Sequence, residues 1–313
     1  MRRGRVIVVL IALLGIVAAC GGTSKSKGSS GPDLSKGEKG PITVANAGFT
    51  ESEVVSYLYA DVLNKIGYKV NVQKVSASEV FQKSLESGDV TVVPEYAATY
   101  ADQLNKIVHG PKAPSVASPD LAATMAKLTP LAKKRKLTVL EPSKAVDQNA
   151  FAVAKKFADA NKLKTLTDLG KLGKPLKLAA GPECATRPFC VPGLKKTYGI
   201  TITKVDPLGV DTAASKSAVK DGTDDLALVL TTDATVGDSG LVVLTDDKKL
   251  QNADYLVPVA NTAKLTPAMT TALNKLSAVM TTDDLAQMNK KVDAGQQKAP
   301  DVAAAYLKDK GLL

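Results

Sequence analysis

Tryptophan is absent from this chain, aromatic residues make up only 4% of it, and it holds a single histidine, His109. One imidazole excludes a zinc site built mainly from histidines and leaves no ready base for a histidine-dependent triad. No phosphate-cradling GxxxxGK[ST] loop, no G-x-G-x-x-G after a strand, no H-E-x-x-H and no G-x-S-x-G occurs. The acid pairs Asp224-Asp225, Asp246-Asp247 and Asp283-Asp284 are sequence neighbours, whose side chains point apart on a strand or helix. They read as solvated turns and helix caps, not as paired catalytic carboxylates. His109, next to Gly110-Pro111, reads as a surface loop residue. The chain is therefore expected not to be an enzyme and to need no cofactor or metal.

What is present is ordinary for a globular protein. The 313 residues are 44% apolar and 23% charged, which excludes collagen-like and wholly disordered readings. At roughly 100–200 residues per domain, the length suggests two domains. Lysine and arginine number 41 against 31 acids, a net charge of +10. Leaving out Arg2, Arg3 and Arg5 lowers the excess to 7. A mildly basic surface of this kind suits an anionic membrane face. Without a basic patch interleaved with aromatics, it gives little support to nucleic-acid binding.

The N-terminus reads as an address. A short basic start precedes VIVVLIALLGIVAA, the 14 residues Val6–Ala19. That run is shorter than the ~20 residues a membrane-spanning helix needs, and its layout is that of a secretory signal. It ends in Val17-Ala18-Ala19-Cys20, which resembles the lipobox of bacterial lipoproteins, where the cysteine is lipidated and becomes the first mature residue. The alternative is an ordinary signal peptide with a cysteine at its cleavage site. Gly21–Pro41 has one aliphatic side chain, Leu34, among glycine, serine and lysine. Such a stretch cannot bury enough surface to fold and behaves as a tether. The expected location is the outer face of the cytoplasmic membrane, anchored through Cys20. Disulfides persist there. Cys184 and Cys190 then form a local pair in GPECATRPFCVPG, expected to be bridged, with two free buried thiols as the alternative and a metal site poorer than either.

Along the chain, Ile42–Ala45 reads as a strand. Thr50 and Glu53 have the T-x-x-E spacing of a capping box, followed by the helical stripe Val54, Val55, Leu58, Val62, Leu63 and Ile66 and a stop at Gly67. Val70 and Val72 alternate as a strand, 78–87 is helical, and 90–93 is a strand. This β-α-β-α-β rhythm predicts a parallel or mixed sheet covered by helices. A helix follows over 119–136. A second unit of the same kind has strands at 151–154, 176–180, 200–205 and 226–230, with helices at 192–198 and 211–220 and a Lys-rich helical stretch after its first strand. Strands near 241–244 and 256–259 precede three closing helices. The first of these opens at Thr266-Pro267, and the others cover 283–292 and 300–310.

Four segments together resemble the osmoprotectant-binding lipoproteins of ABC importers, the glycine betaine, choline and proline betaine type. They are ITVANAGFTESEVVSYLYADVL at 42–63, GDVTVVPEYAATYADQL at 88–104, GPECATRPFCVPGLKKTYGI at 181–200 and DDLALVLTTDATVGDSGLVVLTDDKKL at 224–250. Their order and spacing span nearly all of residues 42–313. The resemblance implies an α/β, two-lobed type II periplasmic-binding-protein fold. Its two inter-lobe crossovers are expected near 147–150 and 230–233. The implied organisation is a signal peptide over 1–19, lipidated cysteine and linker over 20–41, a first lobe from 42–147 and 233–313, and a second lobe from 148–232.

Members of that family hold a quaternary ammonium in a cage of tyrosines by cation–π attraction, with basic and hydroxyl groups on any carboxylate. Carried over by motif, Tyr96 of "PEY" matches a cage tyrosine, Thr99 the polar residue after it, and Arg187 a carboxylate-clamp arginine. Phe151 falls where a cage tyrosine is expected past the first crossover. Leu230 stands before "TTD" where tyrosine is common. Ala47 replaces a usual Lys or Gln, and Ser215–Ser217 offers no aromatic. The expected function is a monomeric solute-binding lipoprotein that delivers a betaine-like quaternary amine to permease subunits and binds no nucleic acid. The alternatives are a binding protein for a different small organic solute, or a sensor or envelope lipoprotein without a transport role.

Overall fold

The computed structural model describes residues 39–75 and 78–313. The apolar N-terminal run, Cys20 and most of the expected tether lie outside the described residues. Lys39–Pro41, read as the end of the tether, instead begin the first strand, where Lys39 and Pro41 pair with Tyr68 and Lys69.

The chain opens with β1 (Lys39–Asn46), α1 (Thr50–Lys65), β2 (Tyr68–Lys74), α2 (Ser78–Ser87) and β3 (Val92–Tyr96). It continues with α3 (Ala97–His109), α4 (Leu121–Lys134) and β4 (Leu137–Val139). The second unit holds β5 (Asn149–Ala154), α5 (Lys155–Asn161), α6 (Leu166–Lys171) and β6 (Pro175–Ala180). After it come α7 (Val191–Gly193), β7 (Thr201–Pro207), α8 (Ala213–Lys220), β8 (Leu226–Leu230) and β9 (Leu241–Leu244). Last are β10 (Leu256–Asn261), α9 (Pro267–Val279), α10 (Thr282–Asp293) and α11 (Ala299–Asp309).

These strands form two five-stranded sheets, ordered β2-β1-β3-β10-β4 and β7-β6-β8-β5-β9. In each, three strands run parallel, and the fourth in spatial order is antiparallel to both its neighbours. That odd strand is the one arriving from the other sheet: β5 enters the second and β10 the first. A strand that enters from the hinge must run away from it, against strands whose carboxyl ends point towards it. The ends of β1, β3 and β8 therefore converge on the gap between lobes, the usual place for a ligand in such sheets.

The first passage between sheets is at Asp147-Gln148. The return lies later than the 230–233 expected from the sequence. Thr231 and Thr232 do touch the first passage, with the Thr231 amide donating to Gln148 O at 3.0 Å and the Thr232 hydroxyl to Asp147 Oδ1 at 3.0 Å. The chain then turns back, because Leu241–Leu244 pairs with Phe151–Ala154 in the second sheet. Only after Leu244 does it cross to β10.

Each sheet is covered on both faces. The helical stripe of α1 is buried with the closing helices on one face of the first sheet. Phe81, Leu85, Tyr100, Leu104 and Leu128 fill the other face. Leu166, Leu169, Leu178, Leu194 and Leu226 are among the residues filling one face of the second sheet, and a smaller alanine–valine layer fills the other. The capping box expected at α1 is not formed. Phe49 holds the cap position without a side-chain bond, the Thr50 hydroxyl donates to Asp293 at 2.6 Å, and Glu53 pairs with Lys74 at 3.1 Å. The sequence reading lacked α3, whose last residue is the exposed His109. Among the acid pairs, Asp284 closes a capping box with Thr281. Asp224, however, is buried rather than solvated, and burial beside Asp206 raises its pKa to about 6.

Candidate functional site

Gly48, at φ +85°, makes the turn between β1 and α1, where a Cβ would lie 2.4 Å from Val75 O. Only glycine suits both the dihedral and the contact. The turn sets Phe49 at the mouth of the gap between lobes, 45% exposed and stacked on Tyr96, ring centroids 6.4 Å apart and planes 25° apart. Tyr96 is the last residue of β3. Its hydroxyl donates to Glu51 Oε1 at 2.5 Å, and Asn289 Nδ2 of α10 donates to Glu51 Oε2 at 2.7 Å. Glu51 lies in the first turn of α1, where the helix dipole favours a carboxylate, yet it is only 4% exposed. Burial raises its pKa, and hydrogen bonds from Tyr96, Asn289 and Thr232 only partly offset this. Burial and the charges of Glu51 and Asp147 push the Tyr96 hydroxyl well above the usual phenol range.

Asp147, at the first passage between lobes, lines the same cavity as Glu51. Burial first, and the Glu51 charge second, raise its pKa to about 7. Two cavities, of about 390 Å³ and about 350 Å³, open on either side of this hinge and share Asp147 and Leu230 as walls. The first is lined by Phe49, Glu51, Lys216, Asp233 and Asn289, the second by Tyr96, Thr99, Asn149, Phe189 and Asp254. On the second-lobe wall Lys216 Nζ donates to Asp233 at 2.5 Å, to Asp211 at 3.3 Å and to Thr235 Oγ1 at 3.2 Å. Burial and the proton-sharing Asp233 raise Asp211 to about 7. Burial opposes ionisation of Asp233, but bonds from Lys216 and Thr235 outweigh it and hold its pKa low. Two contacts cross the first cavity's rim: Lys290 to Asp238 at 2.5 Å, and Asn289 Nδ2 to Thr232 O at 3.5 Å.

The four ligand residues carried over by motif are not all brought together. Tyr96 and Thr99 line the second cavity. Thr99, though, is engaged by Asp254, to which its amide donates at 2.9 Å and its hydroxyl at 2.7 Å. Phe151 is not a cleft residue. It pairs with Leu228 and Leu244 in the middle of the second sheet and is 1% exposed in that lobe's core. Asn149, two residues earlier at the mouth of β5, lines the cleft in its place. Arg187 is not in the cleft either; its side chain is 64% exposed beside Glu183 at 3.8 Å. The bond between Cys184 and Cys190 is present. The loop it closes carries Arg187 outward and Phe189 to the cavity wall, where Phe189 O accepts from Gln251 Nε2 at 2.8 Å.

Phe49, Glu51, Asp147 and Lys216 escaped the sequence reading as site residues. Phe49 and Glu51 stand inside the quoted "FTE", and Lys216 inside Ser215–Ser217, a stretch without an aromatic. Among the described residues no group of three or more His, Cys, Asp or Glu is placed to hold a metal ion. No helix among them is long and apolar enough to cross a membrane.

Residues 40–309 match the family model described as the substrate binding domain of ABC-type glycine betaine transport system. The chain is 28% identical over 283 residues to the glycine betaine-binding protein YehZ of Escherichia coli, covering 87% of this chain and 91% of that one. It is 26% identical over 283 residues to a glycine-betaine-binding protein of Pseudomonas aeruginosa, covering 87% and 88%. The fold matches that of apo YehZ with a TM-score of 0.74 at 27% identity, over 87% of this chain and 99% of that one. A structure titled as a glycine betaine/carnitine/choline ABC transporter gives the same TM-score, 0.74, at 23% identity over 87% and 99%, a likeness of fold. The two sheets and the gap between them are thus the two lobes and cleft of a periplasmic binding protein, and the chain belongs to the substrate-binding family of ABC-type glycine betaine transport systems.

Proposed function

We propose that this protein is the extracytoplasmic receptor of an ABC importer and captures a small quaternary amine in the cleft between its lobes. The observation that carries this reading is the Phe49–Tyr96 stack, with Phe49 open to the cleft, backed by the buried Glu51 and the half-buried Asp147. An aromatic face and a desolvated carboxylate both attract a cation that cannot donate a hydrogen bond. Relatives named for glycine betaine support the class of solute. Ligand touching both lobes stabilises the closed arrangement by its differential affinity for it, which is the form a permease would read.

Thermal unfolding of the detergent-purified full chain tests the reading. Quaternary amines at about 100 times Kd stabilise by roughly 2.7 kcal/mol, and Tyr96→Ala should remove most of that shift. If no quaternary amine shifts the transition while an unrelated solute does, the alternative of a different organic solute takes its place. Leu230 and Asn149, which leave Phe189 as the second-lobe aromatic on the cavity wall, are the residues that favour that alternative.

The V-A-A-C sequence ending at Cys20, with the tether behind it, supports lipid anchoring at the outer face of the cytoplasmic membrane. Cys20→Ala should release the protein from the detergent phase or block its processing; unchanged partitioning would remove the anchor from the proposal. Permease subunits are the expected partners and a monomer the expected state.

A further inference from the structure

The rim of the first cavity is bridged from one lobe to the other. Lys290 Nζ of α10 lies 2.5 Å from Asp238 of the second lobe, and Asn289 Nδ2, one residue earlier, lies 3.5 Å from Thr232 O. Ion pairs elsewhere, such as Lys74–Glu53, Lys204–Asp206 and Lys310–Asp284, stay within one lobe. Lys290–Asp238 does not, and it stands away from both passages of the chain between lobes.

Both ends of this bridge are firmly mounted. Asp238 belongs to 231–240, the stretch of the second lobe that joins β8 to β9. Val236 pins that stretch into the alanine–valine layer at 3% exposure. The Thr235 amide and hydroxyl donate to Asp233 Oδ1 at 2.7 and 2.6 Å, and Asp233 in turn accepts from Lys216 at 2.5 Å. The amides of Ser239 and Gly240 donate to Thr235 O and Gly237 O at 3.0 and 2.9 Å. Opposite, α10 is fixed by its Thr281–Asp284 capping box and by Leu285 and Met288 in the first lobe's core. An exposed ion pair between loose elements gains little, because ordering them costs entropy. Here the backbones that carry the charges are ordered by their own lobes, so the pair acts on the one freedom left, the separation of the lobes.

We infer that Asp238 and Lys290 form a gate on solute exchange, an ion pair that holds the lobes together at the lip of the first cavity and sets how fast solute enters and leaves. The inference rests on the cleft being the solute site, not on which solute fills it. The two are positioning residues: Asp238 lines neither cavity, and the Lys290 ammonium is spent on Asp238. A bond made between protein groups outside the solute's place stabilises the closed arrangement equally with and without solute. It therefore lowers the open population in both cases. Entry and exit both need the open arrangement, so both slow by a similar factor and Kd moves less than either rate. A residue that touches the solute acts mainly on exit. The factor expected of an exposed pair is about two- to fivefold, and salt should shrink it by screening.

Energy transfer between dyes on Gln287→Cys of α10 and Ala214→Cys of α8, exposed positions on the helices that carry Lys290 and Lys216, reads lobe separation in the detergent-purified full chain. In stopped flow the same signal follows glycine betaine exchange. Asp238→Ala is expected to lower transfer before any solute is added and to speed association and dissociation by about two- to fivefold each. The exchanged pair, Asp238→Lys with Lys290→Asp, should restore transfer and both rates. Raising salt from about 50 to about 500 mM should speed exchange in the chain with the native pair and leave Asp238→Ala unmoved; the native-pair arm decides the matter if a variant fails to fold. Transfer unchanged by Asp238→Ala, faster dissociation without faster association, or native-pair exchange indifferent to salt would overturn the gate. If glycine betaine does not bind at all, the reading of the solute fails, while transfer in Asp238→Ala and in the exchanged pair still decides the gate.

Discussion

The two lobes are built on one plan and present different chemistry to the same cleft. Each has a five-stranded sheet with its fourth strand reversed, and each sends the carboxyl ends of parallel strands towards the hinge. The first lobe offers two aromatic rings and a buried glutamate there: Phe49, Tyr96 and Glu51. The second offers Leu230, Asn149, a single aromatic ring, Phe189, and a lysine saturated by two aspartates. Fold fixes where a site is, while residues at a few strand ends decide what it holds. One wall is thus equipped to seize a cation, and the other to close over it.

The strongest test of that division is Phe151→Ala. A second-lobe cage residue would lose affinity and little stability when truncated. A core residue behaves oppositely, and emptying its place should cost about 3–5 kcal/mol. Chemical denaturation of the variant should show that loss, with the choline or betaine affinity of the folded fraction within about twofold of the unaltered chain. Full stability with lost binding would return Phe151 to the ligand.

Next in size is Lys216→Ala, which leaves Asp211 and Asp233 facing each other without their cation. Breaking such a buried cluster should cost about 3 kcal/mol, a fall in unfolding temperature of roughly 6 °C or more. Unchanged stability together with weakened binding would mean that Lys216 serves the ligand directly, and that the second wall is not a structural one.

Acidity sharpens the comparison at the hinge. Asp147 and Asp211, both raised to about 7, bind protons more tightly folded than unfolded, where an aspartate titrates near 4. Their contribution is therefore fully present below about pH 4 and lost as pH rises through about 7. The carboxylates held low by partners, such as Glu86, Asp233 and Asp284, contribute in the opposite sense, but that contribution is complete by about pH 5. The ligand-free chain should lose on the order of 2 kcal/mol between pH 5 and 8, and Asp147→Asn should flatten that slope. Denaturant midpoints across the range measure it; a midpoint that rises towards pH 8 would contradict it.

The smallest effect belongs to Arg187→Ala. An exposed arginine 3.8 Å from a half-exposed partner contributes little, so stability should move by less than about 0.5 kcal/mol and ligand affinity not at all. A tenfold loss of betaine affinity in a titration of this variant would restore the arginine clamp.

The first lobe's cleft residues were more legible in the sequence than the second's, although α3 and β4 of that lobe were not. Strand ends and helix stripes followed from apolar spacing, because burial on one face imposes a period on the residues that form it. The boundaries of α2 and β9 agree with that pattern. Tyr96 could be placed because "PEY" closes a buried strand, and a residue at that end must emerge at the gap. Among what was not legible, three cases concern the second lobe and the hinge. Phe151 and Asn149 are two residues apart on one strand, so period alone cannot say which stands at its mouth. The return crossover was set too early because Thr231-Thr232 touch the hinge before the chain turns back, a long-range contact without a local signal. Arg187 and Phe189 share the loop between Cys184 and Cys190, whose direction is set by that closure and by Gln251, 62 residues from Phe189.

A crystal structure of the chain grown with choline would test the cation-seizing wall most directly. The ammonium is expected within about 6 Å of the Phe49 and Tyr96 ring centroids. Density for the ammonium away from both rings, against the second-lobe wall or beside Arg187, would contradict it.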